Sequence, residues 1–234
     1  MTISTLDAVG LGKLMCAVTD EILWGPAAEW VQTQNRGSHL VCRVGSGQAT
    51  YHRYEPRQKQ HQITYGKRMI LDKFQPDRAS GWLSSREIRQ RGYFEGQVTT
   101  LNLLAHTCCH EFAHLLQQVS GKRYRGSVHN RDFYTILDQL HQSGGAQETR
   151  RQLAATAEKA DMPMPHKVMP ELDEGRPFNQ WSRGDRVGFM AGKKPVEGKV
   201  IRVNPKTCTI EGVGVSRGMR YRVPPRLLYA LRNG

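Results

Sequence analysis

The residues with the clearest chemical potential are His110, Glu111 and His114, which together form the pattern HExxH. On a helix, residues four positions apart lie on the same face, so both imidazoles can reach one metal ion. Glu111, beside the first histidine, is placed to accept a proton from an attacking water molecule. The spacing therefore predicts a metal site, with zinc as the expected ion and hydrolysis as the expected chemistry.

The chain around this pattern is predicted to be a helix. Residues 97–120 contain no Pro or Gly, and Gly121 offers a stop. At about 100° per residue, the apolar side chains fall on one narrow stripe. The stripe consists of Leu101, Leu104, Ala105, Cys108, Phe112, Leu115 and Val119. His110 and His114 lie roughly opposite, so we expect an apolar back packed on a core and a front that faces a cleft.

His106 shares that predicted front and is a further candidate ligand. With a rise of about 1.5 Å per residue, His106 and His114 stand roughly 12 Å apart along the helix axis. Zinc–nitrogen bonds are about 2.0–2.1 Å long, so one ion cannot bind both side chains. We therefore expect His106 to be a partly buried polar residue and not a ligand.

A catalytic zinc usually takes three protein ligands and leaves one position for water. The long metzincin pattern needs a histidine six residues after His114, where this chain has Ser120, so that class is excluded. The next candidate for the third ligand is His129. The alternatives, in order of preference, are Asp132, Asp138 and His141.

Residues 60–140, which include the HExxH pattern and His129, resemble the SprT/Spartan family of metalloproteases. In that family HExxH is followed by a third histidine, in a pattern similar to H-G-x-x-F at the start of another helix. His129 matches the histidine and Phe133 matches the aromatic residue. Asn130 stands where the family has glycine, a mild departure because Asn also tolerates the left-handed conformation.

The resemblance implies a zincin-like domain in which His110, His114 and His129 hold one zinc ion. It also implies that Glu111 acts as general base and then returns its proton to the leaving amine. Zinc lowers the pKa of water toward about 7 and polarises the scissile carbonyl. No residue is identifiable from sequence as a donor to the oxyanion.

SprT/Spartan relatives are associated with cleavage of proteins on or crosslinked to DNA. The expected function is therefore a zinc-dependent endopeptidase acting on DNA-associated or DNA-crosslinked proteins. The alternative is a nucleic-acid-binding regulatory protein whose zinc is structural and which has no peptidase activity. A further alternative is a protease whose C-terminal part binds a protein partner.

Composition bounds the class of protein. A chain of 234 residues can bury one good core and a small second module. Its five cysteines contain no CxxC pair, so neither a disulfide framework nor the zinc ribbon of many SprT relatives is predicted. We expect a reducing cytoplasm, with nucleoid association if the source is prokaryotic. No segment has the eighteen or so apolar residues of a membrane span, so no membrane partner is expected.

Residues 1–145 are predicted to form the SprT-like α+β domain. Helical material runs from Thr5 to Val31, with a break around residues 25–26. The predicted strands are His39–Val44, Gln48–Tyr54 and Gln62–Leu71. A turn at residues 45–47 would join the first two strands as a hairpin. The run Ile63–Leu71 is expected to be the edge strand of the cleft, where a peptide could pair.

Residues 146–177 are predicted to be a helix followed by a Pro-rich linker, and residues 178–234 a small all-β module. The predicted strands of this module are Asp185–Met190, Gly198–Asn204, Thr207–Glu211 and Met219–Val223, with a closing helical turn at residues 227–228. The opening of the module resembles an SH3-like barrel of the KOW or Tudor type. The predicted fold class is thus α+β, a zincin-like domain followed by an SH3-like barrel.

Most of the net charge of +13 lies in the C-terminal part, where residues 176–234 hold 13 Lys and Arg against 3 acids. Such a field attracts phosphates. The predicted nucleic-acid contacts are Arg183, Arg186, Lys193, Lys194, Lys199, Arg202, Arg220 and Arg222.

The same part of the chain carries three aromatic residues of interest, Trp181, Phe189 and Tyr221. They are expected to offer stacking faces or, alternatively, to fill the core of the module. Without a base-reading motif, we expect DNA binding that is not sequence-specific, with single strands favoured.

Overall fold

The structure is a computed structural model that describes residues 3–124, 126–162, 164–165, 167–169, 181–192, 194–204 and 207–231. The chain divides into two compact units, Met1–Leu172 and Asp173–Gly234. The first unit combines helices with a three-stranded sheet, and the second contains a five-stranded antiparallel sheet. The predicted α+β class is therefore confirmed. Within the described residues, no helix is long and apolar enough to cross a membrane.

The helices of the first unit are α1 (Thr5–Val18), α2 (Gly25–Gln34), α3 (Lys67–Asp72), α4 (Pro76–Ala79), α5 (Leu83–Arg91), α6 (Thr100–Val119), α7 (Arg131–Gln142) and α8 (Gly145–Lys159). A π-helical turn, Thr19–Trp24, joins α1 to α2. The boundary between this turn and α2 falls at the predicted break near residue 25, although the backbone stays helical through it, because Pro26 lies in the first turn of α2, where it removes no needed hydrogen-bond donor.

The sheet of the first unit contains β1 (His39–Gly45), β2 (Tyr51–Glu55) and β3 (Gln60–Gly66), in the order β1-β3-β2. The parallel partner of β3 is β1, and its antiparallel partner is β2. The predicted β1–β2 hairpin is therefore wrong, since both strands pair with β3. The predicted edge strand is also wrong. β3 is the central strand, nearly all of it is buried, and its predicted continuation forms α3.

Helix α6 lies at the centre of the first unit. Thr99 caps its start, because the Thr99 side chain accepts a hydrogen bond from the Asn102 amide. The predicted apolar stripe is buried, except that Val119 is only partly so. Burial also extends around the polar face, where His106 is fully covered. Helices α1, α7 and α8 and strand β2 all contact α6, so the HExxH residues are held on a fixed support.

Helix α8 belongs to the first unit and packs on α6, with Leu153 and Ala157 in its core. Met164 and Met169 also reach that core, and the Met169 amide donates to the Val98 carbonyl at 2.7 Å. Much of the predicted Pro-rich linker, including residues 170–177, lies outside the described residues.

The second unit contains β4 (Arg186–Ala191), β5 (Lys194–Val203), β6 (Cys208–Gly212), β7 (Arg220–Val223) and β8 (Tyr229–Ala230), in the order β7-β6-β5-β4-β8. All neighbouring pairs are antiparallel. The predicted strands correspond to β4–β7, and the closing turn is a 3-10 turn, Pro225–Leu227. Strand β8 was not predicted. Among the described residues β7 and β8 do not pair, so the sheet is not a closed barrel.

Candidate metal centre and basic sheet face

The structure brings His110, His114 and His129 together. His110 and His114 lie one turn apart on α6, and His129 lies in the loop that leads into α7. The Nε2 atom of His129 is 3.1 Å from Nε2 of His110 and 3.1 Å from Nε2 of His114. All three side chains can offer a ligand nitrogen within 4.8 Å of the others. The three predicted ligands therefore converge on one point.

The spacing of these nitrogens fits a tetrahedral metal ion. With bonds of about 2.0–2.1 Å, two ligand nitrogens at the tetrahedral angle stand about 3.3 Å apart. The separations of 3.1 Å are close to this value. Three imidazoles supply only three ligands, which leaves a position open, as in catalytic rather than structural zinc sites.

Glu87 of α5 orients the first histidine. Its Oε2 lies 3.0 Å from Nδ1 of His110. Burial raises the pKa of the Glu87 carboxyl, but hydrogen bonds from His106 and His110 bring it below its ordinary value, so the group is a carboxylate. A carboxylate only accepts hydrogen bonds, and the proton of His110 therefore sits on Nδ1. Nε2 of His110 then presents its lone pair to the ion, as a metal ligand requires.

Gln117 orients the second histidine and ties it to the loop of the third. Its Nε2 donates to the Val128 carbonyl and to Oδ1 of Asn130, both at 3.0 Å. These bonds turn Oε1 of Gln117 toward Nδ1 of His114, at 3.3 Å. His114 must therefore donate from Nδ1, which leaves its Nε2 lone pair free. Two lone pairs thus face Nε2 of His129, an arrangement that a cation satisfies best.

Asn130 has a different role from the one expected. Its backbone is extended, with φ −85° and ψ −176°, and not left-handed. Its side chain caps α7 by accepting from the Phe133 amide at 2.9 Å, and its Nδ2 donates to the Lys122 carbonyl at 3.1 Å. The left-handed interpretation is therefore wrong, because the amide side chain is needed as a cap and as the partner of Gln117.

Phe133, on the first turn of α7, packs against all three histidines. Its ring centroid is 4.3 Å from that of His114 and 4.9 Å from those of His110 and His129. Phe133 is fully buried, so it keeps water from this side of the imidazoles. The aromatic residue that the sequence singled out thus lies beside the metal centre.

Glu111 is 6% exposed, and its Oε2 is buried without a hydrogen-bond partner among the described residues. Burial raises the pKa of its carboxyl above the ordinary value, and His110 lowers it in part. A buried polar atom without a partner is costly, so it needs an explanation. A water or substrate group bound beside the histidines would supply the missing partner.

His106 is not a ligand of this triad. It is completely buried and donates from Nε2 to Oε2 of Glu87 at 2.9 Å. Its Nδ1 accepts from Nε2 of His141 at 3.1 Å. Glu87, His106 and His110 also lie close enough to hold an ion. The Glu87 carboxylate accepts an N–H hydrogen bond from each of the two histidines. We therefore interpret this second cluster as the hydrogen-bonded support of His110.

The three alternative candidates for the third ligand have other partners in the structure. His141 bonds His106 and stacks on Tyr93, with ring centroids 3.7 Å apart. Asp138 accepts two hydrogen bonds from Arg91, each at 2.9 Å. Asp132 lies 3.5 Å from the Lys122 ammonium. None of the three is grouped with the triad among the described residues.

In the second unit, the strand register gathers predicted basic residues on one face of the sheet. A row of direct cross-strand partners consists of Arg186, Lys199, Glu211 and Arg220. The next row consists of Arg202, Thr209 and Arg222. All five cations are exposed, on the face opposite the core. We call this surface, Arg186, Lys199, Arg202, Arg220 and Arg222, the basic face.

A β-bulge places Arg202 on this face. The register of β5 against β6 shifts between Val200 and Arg202, and Val200 points into the core. Without the extra residue, Arg202 would share the core face with Val200. Two acids, Glu197 and Glu211, dilute the charge. Glu211 lies 3.9 Å from exposed Arg220, an ion pair that contributes little.

The aromatic residues expected to stack on bases lie in the core instead. Trp181 and Phe189 are buried, and Tyr221 packs against the same cluster. This is the alternative that the sequence left open. The aromatic ring on the basic face is that of Tyr229, which the sequence did not single out. It is 47% exposed and lies over Gly188, where an added Cβ would stand 2.4 Å from the ring.

The remaining predicted cations do not belong to the basic face. Arg183 is exposed in the segment before β4, and Lys194 is exposed at the start of β5. Lys193 lies outside the described residues.

Comparisons with protein-family models, with curated proteins and with solved structures found no match to this chain.

Proposed function

We propose that this chain is a zinc-dependent endopeptidase that cleaves DNA-associated or DNA-crosslinked proteins. The observation that carries the proposal is the convergence of three imidazole nitrogens beside a buried carboxylate without a partner. We further propose that the first unit is a zincin-like domain of the SprT/Spartan type and the second an SH3-like module. The five free cysteines fit a reducing cytoplasm, near the nucleoid in a prokaryotic cell.

In this proposal His110, His114 and His129 hold the zinc ion, with Glu87 and Gln117 fixing the first two rings. When bound, zinc supplies Lewis acidity, which activates water and polarises the carbonyl of the substrate. Glu111 takes the proton of the attacking water and later delivers it to the leaving nitrogen. Its raised pKa, caused first by burial, brings it closer to working pH and suits both steps.

The substrate is proposed to lie along β2. This strand is an edge of the sheet, and it contacts α6. His52 of β2 is also among the groups that lower the pKa of the Glu111 carboxyl, which burial raises. An extended peptide that pairs with β2 would therefore pass beside the general base.

The basic face of the second unit is proposed to hold DNA. Its charge suits the phosphate backbone, and Tyr229 gives a ring on which a base can stack. With strands about 4.8 Å apart, the path from Tyr229 on β8 to Arg220 on β7 is about 19 Å. A stacking ring favours single strands, whose bases are accessible. DNA binding would then concentrate the enzyme near its protein substrates.

The test is cleavage of a protein crosslinked to a single-stranded oligonucleotide, with zinc content measured on every sample. Wild type is compared with Glu111→Gln and with the exposed control Glu29→Gln. We expect cleavage by wild type and by the control, stimulation by DNA, and no cleavage by Glu111→Gln although it retains one zinc per chain.

Two results would contradict the proposal. Cleavage that persists in zinc-loaded Glu111→Gln would show that Glu111 is not the general base. Absence of cleavage by a zinc-loaded wild type that binds DNA tightly would instead support a regulatory protein with a structural zinc.

A further inference from the structure

Arg123 lies in the loop between α6 and α7 and is partly buried. Its Nη1 donates a hydrogen bond to Nδ1 of His52, at 2.9 Å. Among the described residues it forms no ion pair and no other hydrogen bond. A guanidinium has five N–H donors, so most of the donors of Arg123 have no partner among the described residues.

His52 and His61 hold Arg123 through a buried chain of hydrogen bonds. His52 is 4% exposed and His61 is 1% exposed. The guanidinium can only donate, so Nδ1 of His52 must accept and its proton must sit on Nε2. Nε2 of His52 then donates to Nδ1 of His61, at 3.0 Å. Burial, with help from His61 and Arg123, lowers the pKa of His52 to about 2, so the ring stays neutral.

Arg123 is bonded through His52 to β2, the strand that contacts α6, and α6 carries Glu111. Burial lowers the pKa of Arg123, and Glu111 is the neighbouring charge that raises it. Conversely, burial raises the pKa of Glu111, and Arg123 is among the groups that lower it. Arg123 and Glu111 therefore interact electrostatically, although they form no ion pair within 4 Å. Arg123 is thus a cation near the proposed general base, and no anion among the described residues is bound directly to it.

We propose that Arg123 is a catalytic residue that stabilises the negative charge developing on the substrate carbonyl oxygen, and that His52 and His61 are its positioning residues. This inference rests on the proposed peptidase function. As the water oxygen bonds to the carbonyl carbon, its proton passes to Glu111 and the C=O electron pair moves to oxygen, where Arg123 donates to it. When the C–N bond breaks, that pair re-forms the carbonyl and the proton passes to the leaving nitrogen.

A preorganised donor of this kind contributes about 10²–10³-fold to kcat, because it acts on charge that exists only in the transition state. A substrate-binding role is different. If Arg123 bound an acidic side chain of the substrate, its loss would raise KM for acidic peptides and leave kcat nearly unchanged.

The experiment uses the zinc-loaded full chain and a fluorogenic peptide, with kcat and KM measured separately. The variants are Arg123→Gln, Arg123→Lys and His52→Gln, with Arg131→Gln as a matched exposed control. Binding of a phosphonate peptide, a tetrahedral anion, is measured by calorimetry on the same samples, together with zinc content and melting temperature.

We expect Arg123→Gln to lower kcat about 100-fold, change KM less than threefold and weaken phosphonate binding by a similar factor to kcat. Arg123→Lys should fall between it and wild type, and millimolar guanidinium should restore part of the activity of Arg123→Gln. His52→Gln should lower kcat about tenfold, and Arg131→Gln should match wild type.

Three results would overturn the inference. Wild-type kcat and phosphonate affinity in Arg123→Gln would show that the residue takes no part. A loss confined to KM would assign it to substrate binding, and a loss that tracks zinc content or melting temperature would assign it to structure. If zinc-loaded wild type cleaved nothing, the proposed function itself would fail. That result is distinct from an active wild type that is indifferent to Arg123.

Discussion

In the first unit most of the side chains proposed for catalysis are at least partly buried, with His129 exposed, whereas in the second unit all the cations of the basic face are exposed. His110 and His114 each have a fixed partner, Glu87 and Gln117. The cations of the basic face meet mainly solvent. The first site is therefore rigid and sensitive to single atoms, while the second acts through summed charge. Single substitutions should therefore have large effects in the first unit and small ones in the second.

The largest effect is expected from removing a ligand. His129→Ala leaves two imidazoles on α6 and should weaken zinc binding by more than about 100-fold, beyond the effect of losing an outer partner. The measurement is competition with a zinc chelator. His39→Ala removes an exposed histidine and serves as the control. Equal zinc affinity in both variants would show that His129 is not a zinc ligand.

The next effect tests the support behind the triad. Glu87→Gln keeps the shape of the side chain but loses the charge that accepts from His106 and His110. Zinc affinity should fall about 10–100-fold, the usual consequence of changing the partner of a metal-binding histidine. Glu158→Gln, on the exposed side of α8, should bind zinc as wild type does. An increase in affinity would mean that Glu87 does not support His110.

A third prediction contrasts a buried lysine with an exposed one. Lys73 is 1% exposed, and burial lowers its pKa to about 7. Its ammonium therefore costs stability in full below pH 7, and the cost fades as pH rises toward the ordinary value of 10.5. Lys73→Met should raise the free energy of unfolding by about 1–4 kcal/mol at pH 6, with less gain at pH 9.

The control for this pair is Lys199→Met on the basic face, which should change stability by no more than about 0.5 kcal/mol at either pH. Chemical denaturation at the two pH values gives both results. If the free energy of unfolding gained by Lys73→Met increased with pH, the result would contradict a lowered pKa of Lys73.

The smallest effects are expected on the basic face. Lys199→Ala should weaken binding of single-stranded oligothymidine severalfold and reduce the slope of log affinity against log salt by about one. Tyr229→Ala should weaken binding of the oligonucleotide about fivefold, near the lower end of a stacking contribution of about 1–3 kcal/mol, without changing the salt slope. Fluorescence anisotropy at several salt concentrations measures both, with exposed Lys13→Ala in the first unit as control. Unchanged binding in both variants would leave the basic face without a role in DNA binding.

The arrangement of α6 was predictable because it depends on spacing within one helix. The i, i+4 positions of His110 and His114 fix their common face before any tertiary contact forms. His129 was one candidate among several for the third ligand, and the resemblance singled it out, since its approach to the pair depends on a loop. That loop is held by Gln117 and Asn130, whose joint role no sequence spacing reveals.

The sheets were less predictable because strand order depends on pairing between distant segments. Short runs such as His39–Val44 and Gln48–Tyr54 suggested a hairpin, but both strands pair with β3. In the second unit, short runs bounded by turn residues identified most strands. The bulge at residue 201 and the two-residue strand β8 carry no clear signal, so Arg202 could not be assigned to a face and Tyr229 was missed.

We have proposed that three histidines hold one zinc ion with a position left open. Zinc K-edge X-ray absorption is measured on the full chain before and after addition of a small hydroxamate. We expect one zinc per chain, three imidazole nitrogens at about 2.0–2.1 Å, no sulfur ligand, and a change in the spectrum when the hydroxamate occupies the open position. A spectrum with four protein ligands that does not respond to the hydroxamate would instead indicate a structural zinc and rule out the open position.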